Sequence, residues 1–567
     1  MLGQMMDVPL SISNLLVHAD RFHGDTEIVS RRVEGDIHRY TYRDAHRRSR
    51  QAASALQGLG IAPGGRVATL AWNGYRHFEL YYGISGSGRV MHTINPRLHP
   101  EQVAWIANDA EDEALFFDLS FAPLIDAVAP LCPKIKHWIA LCDEDRLPAL
   151  KTVKPIAYET WLAGGSADSA WPVLDENAAA CLCYTSGTTG NPKGVLYSHR
   201  STVLHALGSI MPDVMGLKAT DVVLPVVPMF HVNAWGTAYS CPIVGAKLVF
   251  PGSGLDGKSL IELFEAEKVT FTAGVPTIWL GLLQELQKTG QKLSTVNRMV
   301  VGGSACPPAL MKAFKDDYGI HIHHAWGMTE MSPLGTFNAL KEKHLSLSED
   351  DQFKIHVKAG RPMFGVDIKI VDDAGKELPW DGVAFGDLLV RGPWIVKQYY
   401  RRDESPLVDG WVPTGDVATI DPDGYVQITD RSKDVIKSGG EWISSIDLEN
   451  IAVSHPAVAE AGAIGFGQAS DMGQFAPTPR VSSIIDNWAP YYIERVQAVM
   501  DGTWESSDVW GGIDSGMVEI GEMSDAIPEE VRASAQALAD SIEDGSYHPF
   551  TGPINRQDGT PWLAAGE

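Results

Sequence analysis

Lysine is missing from the last part of the chain. None of the residues after Lys437 is a lysine, and residues 467–567 hold 17 acidic side chains against four arginines. This region alone carries a net charge of −13, about half of the −25 of the whole chain. A break in composition of this size predicts a domain boundary near residue 466.

Other kinds of segment are also absent, and each absence excludes a class of protein. No run of about 18 apolar residues occurs, so we expect no integral membrane segment. Residues 1–7 contain no basic stretch followed by an apolar core, so we expect no secretory signal. The net charge of −25 argues against nucleic acid or an anionic membrane as a static partner.

The six cysteines have no metal-binding spacing. Only Cys181 and Cys183 stand close together in the sequence, on an apolar segment that is typical of a buried strand. Free thiols in a reducing compartment are the simplest interpretation, and we therefore expect a cytoplasmic location.

Helix and strand signals alternate along the first part of the chain. Residues Thr41–Asp44 form a capping box ahead of a helix that ends near Gly58 or Gly60, and Arg66–Ala71 predicts a short apolar strand. Similar helix or strand segments follow at 76–84, 222–227, 247–250, 260–267, 269–272 and 299–302. This alternation predicts an α/β fold with doubly wound, mostly parallel sheets. Residues 365–429 instead favour a β-rich subdomain.

The loop Tyr184–Gly194 is the most informative segment. Seven of its eleven residues are Thr, Ser or Gly, and its single cation is Lys193. Unobstructed backbone N–H groups, hydroxyls and one point charge are typical of a site that binds polyphosphate. The spacing is not that of a Walker A loop, because the second glycine would fall on Pro192. The alternative interpretation is a mobile Gly/Ser linker.

Five further segments follow the loop in a characteristic order. They are Val227–Trp235, Val301–Pro307, His324–Glu330, Asp409–Asp416 and Asp430–Trp442. Each segment alone has an ordinary structural explanation, such as a buried histidine or a turn carboxylate. Together with the loop they resemble the adenylate-forming enzymes, and over residues 1–464 the chain resembles the medium- and long-chain fatty-acyl-CoA synthetases of that superfamily.

The resemblance implies a reaction in two halves. A fatty acid carboxylate attacks the α-phosphate of ATP to give acyl-AMP and pyrophosphate, and the thiol of coenzyme A then displaces AMP. The small-molecule partners are therefore a fatty acid, ATP and coenzyme A, with Mg²⁺ as the metal. Many relatives are homodimers, so a homodimer is expected.

The resemblance also assigns residues. Catalytic roles fall to Lys193, Glu330 and His231, the metal ligands are Thr185 and Glu330, and the acyl chain would contact His231 and Trp235. The residues expected to bind ATP are Thr185, Ser186, Gly187, Thr188, Thr189, Gly190, Lys193, Gly303, Trp326, Gly327, Thr329, Asp416, Arg431, Lys433, Lys437 and Trp442.

The end of the chain resembles a different family. The segments 470–477, 487–492, 499–504 and 548–554 are similar to the C-terminal part of basic-membrane-protein-type solute-binding proteins of ABC transporters. We therefore predict an adenylation domain over 1–430, a truncated start of a small C-terminal domain over 431–466, and a solute-binding-protein-like fragment over 467–567. The hypothesis is a chimeric reading frame, and the alternative is a private C-terminal extension.

The family's small domain supplies a catalytic lysine near its end, and no residue here can take that role, since arginine is a planar fork rather than a compact ammonium. The first functional hypothesis is a fatty acid–CoA ligase impaired by this loss. The second is a catalytically silent protein that binds ATP and fatty acid. The third is a nucleoside- or solute-binding protein, which depends on residues 467–567 alone.

Overall fold

The structure is a computed structural model of the whole chain. The residues it describes are 1, 3–185, 191–431, 436–438, 441–443, 465–469, 480–486, 489–505, 513–515, 517–521, 523, 527, 529–546, 554–555 and 561–563. The chain divides into two compact units, Met1–Leu448 and Glu449–Glu567.

A nine-stranded sheet forms one half of the first unit. Its strands, in spatial order, are β16 (Arg361–Pro362), β15 (Leu334–Phe337), β14 (His321–Gly327), β13 (Arg298–Val301), β12 (Phe271–Gly274), β10 (Val222–Pro225), β11 (Lys247–Phe250), β1 (Glu27–Arg31) and β2 (Ile37–Thr41). The central strands β14, β13, β12, β10, β11 and β1 are parallel, and antiparallel pairs occur only toward the two edges. The predicted doubly wound α/β fold is confirmed.

A seven-stranded sheet forms the other half of this unit. Its spatial order is β7 (Ile156–Ala157), β6 (His137–Ala140), β5 (Asp112–Phe117), β3 (Arg66–Leu70), β4 (Val90–Thr93), β8 (Ala179–Tyr184) and β9 (Gly194–Ser198). All neighbours are parallel except β8 and β9. The chain thus leaves β3 to one side for β4 and returns to its other side for β5, an arrangement that creates a crevice at the carboxyl ends of these strands.

The helices cover these sheets. They are α1 (Ile12–His23), α2 (Tyr42–Gly58), α3 (Tyr75–Gly86), α4 (Pro100–Ala110), α5 (Ala122–Val128), α6 (Tyr158–Ala163), α7 (His199–Ser209), α8 (Thr237–Val244), α9 (Gly257–Glu267), α10 (Pro276–Thr289), α11 (Pro308–Tyr318) and α12 (Glu349–His356). The predicted capping box is present: the Thr41 hydroxyl accepts the Asp44 N–H, and the Asp44 carboxylate accepts the Thr41 N–H. Together these two bonds satisfy donors at the start of α2 that the helix itself leaves unpaired.

The core of this unit follows from strand alternation. Val300 of β13 packs on one face of the nine-stranded sheet, and its neighbours Met299 and Val301 pack on the other. In the seven-stranded sheet, Phe116 joins the same cluster as Val300, whereas Leu115 and Phe117 face away from it. One continuous apolar cluster therefore connects the two sheets, and it fixes how their loop-bearing edges meet.

A smaller β-sheet follows, as predicted for residues 365–429. Its strands are β17 (Asp367–Val371), β18 (Phe385–Arg391), β19 (Val412–Ile420) and β20 (Val426–Arg431), all antiparallel. A hairpin of β21 (Ile436–Ser438) and β22 (Glu441–Ile443) comes next. The predicted division at residues 430 and 466 stays a prediction.

The second unit has its own elements. They are β23 (Gly465–Ala469), β24 (Arg480–Asp486), β25 (Val518–Ile520), α13 (Ala489–Asp501), α14 (Glu529–Glu543), β26 (Ile554–Asn555) and β27 (Pro561–Leu563). Helix α13 leaves apolar side chains in solvent, with Ile493 at 70% exposure and Met500 at 74%. This agrees with a fragment that lacks surfaces on which to pack.

All six cysteines are free, as predicted, and all six are buried, which was predicted only for Cys181 and Cys183. Within the described ranges, no helix is both long enough and apolar enough to span a lipid bilayer.

Asp118 is a buried carboxyl at the end of β5. It is 9% exposed, and its carboxylate accepts the Trp72 backbone N–H at 2.6 Å. Burial penalises the charged form and raises the pKa of Asp118 to about 7. The folded chain therefore keeps a proton there in a pH range in which an unfolded aspartate has lost it.

We expect Asp118 to make the chain less stable as the pH rises from 4 to 7. In this window the folded state binds the proton and the unfolded state does not, so the free energy of unfolding falls, by at most roughly 4 kcal/mol. Asp118→Asn keeps an acceptor for Trp72 but cannot ionise. In thermal unfolding, the variant should gain stability relative to the parent at pH 8 but not at pH 4; an equal difference at both values would contradict the expectation.

Candidate active site

The predicted site residues gather where parallel strands end. Gly303 lies just after β13, Trp326 and Gly327 form the end of β14, and His231 lies in the loop that follows β10. Because parallel neighbours end at the same edge of a sheet, these residues share one rim of the nine-stranded sheet. Thr185 directly follows β8 of the other sheet.

The two ends of the glycine- and hydroxyl-rich loop are tied together. The Thr185 N–H donates to the Lys193 carbonyl, and the Lys193 N–H donates to the Thr185 hydroxyl, both at 3.0 Å. Beyond them, Tyr184 pairs with Gly194 across β8 and β9. The loop is therefore the closed end of a hairpin, and this fixes the point from which the Lys193 side chain projects.

Lys193, Tyr399 and Glu330 form a row. The Lys193 ammonium lies 4.9 Å from the centre of the Tyr399 ring, and the Tyr399 hydroxyl donates to Glu330 Oε1 at 2.8 Å. The Glu330 carbonyl accepts the Val396 N–H at 2.8 Å, which anchors the segment before Tyr399. Burial and the Glu330 carboxylate together raise the pKa of Tyr399, so its hydroxyl stays a donor.

Tyr399 was not among the predicted residues. It stands in Val396–Tyr400, which has no glycine, histidine or acidic residue to mark it, so its sequence carries no signal of a site. The structure shows that it joins the predicted cation to the predicted carboxylate.

The predicted metal ligands fit Mg²⁺ in chemical type. Glu330 is 7% exposed, and Tyr399 occupies one of its two carboxylate oxygens, which leaves the other for a cation. The Thr185 hydroxyl accepts one N–H and retains a second lone pair. Across the described residues there is no cluster of three His, Cys, Asp or Glu side chains that could hold a metal. An ion held by one carboxylate and the phosphates of its nucleotide would suit the preference of Mg²⁺ for oxygen ligands.

Trp326 and Asp416 are joined directly. The indole N–H donates to Asp416 Oδ2 at 2.9 Å, and Asp416 is 4% exposed on β19. Arg431 stands opposite Asp416 in the register of β19 and β20. Trp326 and Asp416, both predicted to bind ATP, are therefore neighbours, and the hydrogen bond fixes the plane of the ring.

Two predicted glycines are required by geometry. Gly303 has a φ of +83°, a conformation that L side chains rarely adopt. At Gly327 a Cβ atom would come within 2.0 Å of the Pro333 carbonyl oxygen. Thr329 lies beside them, and its carbonyl accepts the Tyr197 hydroxyl at 2.5 Å. The backbone at this rim can therefore approach a ligand closely.

His231 precedes an unusual turn, and Trp235 is its last residue. Val232–Trp235 forms a left-handed turn, in which four consecutive residues have φ between 41° and 57°. Asn233 holds it, because its Oδ1 accepts the Tyr81 hydroxyl at 3.2 Å and lies 3.3 Å from the Cys181 sulfur. Trp235 is 8% exposed and packs beside Gly302.

A cavity of about 70 Å³ lies between the two sheets at this edge. Thr185 and His231 both line it, although His231 is also exposed to solvent. The remaining wall is mainly apolar, with Ile94, Leu98, Ile106, Phe230 and Val232. This region suits an apolar group next to the phosphate loop.

The other predicted residues are not described to the same depth. Ser186, Gly187, Thr188, Thr189, Gly190 and Lys433 lie outside the described residues. Lys437 and Trp442 face each other in the register of β21 and β22. For Lys437, Trp442 and Arg431, the structure describes the backbone alone.

A cation-bearing hydroxyl loop, a buried carboxylate and an indole–carboxylate pair are groups that suit the phosphates and the nucleoside of a nucleotide. Comparison with known proteins places the class more narrowly. The model of the AMP-binding enzyme family matches residues 16–400. The chain belongs to this family, which confirms the predicted resemblance.

Known ligases are similar in sequence to this protein over most of its length. It is 53% identical to the 3-methylmercaptopropionyl-CoA ligase of Ruegeria lacuscaerulensis, over 82% of this chain and 86% of that protein. It is 50% identical to the medium-chain-fatty-acid–CoA ligase of Ectopseudomonas oleovorans, over 82% and 85%. Among solved structures, the anthranilate CoA ligase AuaEII in complex with anthranoyl-AMP aligns with a TM-score of 0.72, at 25% identity, over 80% of this chain and 84% of that one.

A second family matches the later residues. The model of the ABC transporter substrate-binding protein PnrA-like family matches residues 434–543. This confirms the predicted resemblance of the end of the chain to a solute-binding protein. The match begins at residue 434, after the end of the AMP-binding match at residue 400, so the two family models match successive parts of the chain.

We expect the Tyr399 ring to orient Lys193 for phosphate binding. Tyr399→Phe keeps the ring below the ammonium, so its dissociation constant for MgATP should stay within about threefold of the parent value. Tyr399→Leu removes a cation–π contact typically worth about 0.5–2 kcal/mol and should weaken binding about tenfold. Calorimetric titration of both variants checks this, and equal losses in the two would show that the hydroxyl, not the ring, supports Lys193.

Proposed function

We propose that the chain activates a medium- or long-chain fatty acid with ATP and transfers the acyl group to coenzyme A. The row of Lys193, Tyr399 and Glu330 carries the proposal, because it sets a cation and a buried carboxylate at the mouth of the phosphate loop. Curated relatives support the choice of substrate, since those at 45–53% identity include medium-chain and long-chain fatty acid–CoA ligases.

The main obstacle to this reaction is charge repulsion, which the proposed site residues would reduce. A carboxylate attacking a triphosphate is opposed by the repulsion of like charges, so the site has to neutralise the phosphates before the two can meet. Lys193 would contact the β- and γ-phosphates, while Thr185 and Glu330 would hold Mg²⁺, which supplies further positive charge when bound. Trp326 and Asp416 would hold the adenine and ribose, and this fixes the α-phosphate in front of the acyl carboxylate.

The acyl group would enter beside His231. A carboxylate oxygen of the fatty acid forms a bond to the α-phosphorus, pyrophosphate leaves, and acyl-AMP results. The thiol sulfur of coenzyme A then bonds to the acyl carbon, and AMP leaves with the oxygen that came from the acid. The alkyl chain would lie near Trp235, where each buried CH₂ contributes about 0.8 kcal/mol.

Replacing the charged residues tests this function. We expect Lys193→Ala or Glu330→Gln to lower fatty-acid-dependent pyrophosphate release roughly a hundredfold, since one charge-assisted contact typically contributes ~2–4 kcal/mol in the transition state. Lys134→Ala, which removes an exposed lysine of an ion pair with Glu111, is the matched control and should have no effect. Near-parent rates in both site variants would refute the assignment.

We further propose that the missing lysine slows the first half-reaction most. No lysine follows Lys437 in the sequence of 567 residues, so no residue there can supply the ammonium group of the family's catalytic lysine. Acyl-CoA should therefore form roughly a hundredfold faster from supplied acyl-AMP than from octanoate and ATP. Equal rates, measured by chromatography of acyl-CoA, would show that the chain does not need the lysine.

Pyrophosphate release and ligand binding, measured on the same chain, separate the alternatives. A silent binding protein would bind ATP tightly and release no pyrophosphate with octanoate, palmitate or 3-methylmercaptopropionate. Micromolar binding of a nucleoside would favour the solute-binding function. The comparison of the three acids also tests chain length, which neither the sequence nor the cavity determines.

We propose that the join between the two families is a chimeric reading frame. The support is that two different family models match successive parts of one chain, at residues 16–400 and 434–543. Single sequencing reads spanning codons 455–475 test it: a continuous, intact ligase frame would confirm an assembly artefact, whereas single reads through the join would refute it. A homodimer and a cytoplasmic location stay predictions.

A further inference from the structure

One buried amide joins the two sheets at the site. Asn73 lies three residues after β3 of the seven-stranded sheet and is 3% exposed. Its Nδ2 donates to the carbonyls of Pro225 and Val227, at 2.8 and 2.9 Å, and its Oδ1 accepts the Met229 N–H at 2.6 Å. Pro225 is the last residue of β10 of the nine-stranded sheet, and Val227 and Met229 belong to the loop that follows it.

The chemistry of these partners specifies asparagine. Two carbonyls require two donors, and one backbone N–H requires an acceptor, so the amide has to present both kinds of group at once. Aspartate lacks the donors, and leucine lacks all three contacts. Because the three groups alternate along residues 225–229, one side chain fixes the path of the whole loop.

The fixed loop leads directly into the acyl side of the site. Phe230 and His231 follow Met229 without a break, and both line the cavity that also contains Thr185. Trp72, the neighbour of Asn73, also contacts this loop: its ring lies 5.8 Å from the Phe230 ring, edge to face. The Arg97 guanidinium covers both rings, at 5.6 and 5.7 Å.

We propose that Asn73 is a positioning residue for the acyl-binding side of the site, acting through the loop 225–231. This rests on the proposed ligase function. Asn73 contacts no substrate itself; it sets the position of Phe230 and His231 relative to the phosphate loop. Positioning errors of about 1 Å at such groups are costly to a reaction, so losing this amide should affect the acyl group more than ATP.

A purely structural role would have different consequences. It would lower the melting temperature and leave the affinity of the folded protein for its ligands unchanged. Tyr42 provides the matched control, because its buried hydroxyl also crosses between elements, donating to the Ala246 carbonyl at 2.7 Å. That bond lies on α2 and before β11, away from the loop 225–231.

The test compares binding of two ligands to folded protein. The probes are ATP with Mg²⁺ and a non-hydrolysable octanoyl-sulfamoyl adenosine, titrated calorimetrically into the full chain. Asn73→Asp should weaken the acyl probe at least about tenfold and ATP less than about threefold. Tyr42→Phe should leave both within about twofold, even if it lowers the melting temperature equally.

Each outcome is decisive. Parent-like affinity of Asn73→Asp for the acyl probe, or an equal loss for both probes, overturns the proposal. If that variant does not fold, Trp72→Leu replaces it, with an expected loss of about threefold for the acyl probe alone, and no loss overturns the proposal. Failure of the parent chain to bind either probe instead overturns the proposed function, and the positioning role with it.

Discussion

The proposed reaction requires the site to hold two anions, a triphosphate and a carboxylate, close together. The chain has a net charge of −25, and in the proposed function it has to bind both anions, with Lys193 as the cation at the end of the loop Tyr184–Gly194. The two hydrogen bonds between Thr185 and Lys193 fix the backbone of that cation, and the Tyr399 ring supports its side chain. Glu330 would repel the phosphates by itself, so its place makes sense as a ligand of a divalent ion.

Both sheets are needed for this arrangement. The loop Tyr184–Gly194 connects two strands of the seven-stranded sheet, whereas Trp326 and the loop 225–231 belong to the nine-stranded sheet. The shared apolar cluster holds the sheets together, but apolar contact is not directional and cannot set a loop to within an ångström. Directional bonds do so at the rim: those of Asn73 to residues 225–229, that of Tyr197 to Thr329, and that of Tyr399 to Glu330.

Residues that require a special backbone or a charge could be predicted from the sequence. Lys193, Gly303, Gly327 and Asp416 stand in short motifs whose composition reflects a physical requirement, and the alternating pattern around them predicts the α/β fold. Tyr399 and Asn73 could not be found in this way, because a single tyrosine or asparagine looks the same on any loop. Their roles arise from long-range contacts, across about 70 and 150 residues of chain, which no local pattern encodes.

The proposed reaction transfers one oxygen atom from the fatty acid to AMP. If a fatty acid attacks the α-phosphate, AMP has to leave with an oxygen that came from the acid. Octanoate labelled with ¹⁸O in its carboxyl group, incubated with the full chain, MgATP and coenzyme A, should therefore give AMP that carries one ¹⁸O in its phosphate, measured by mass spectrometry. Unlabelled AMP, or ADP in place of AMP, would contradict the account.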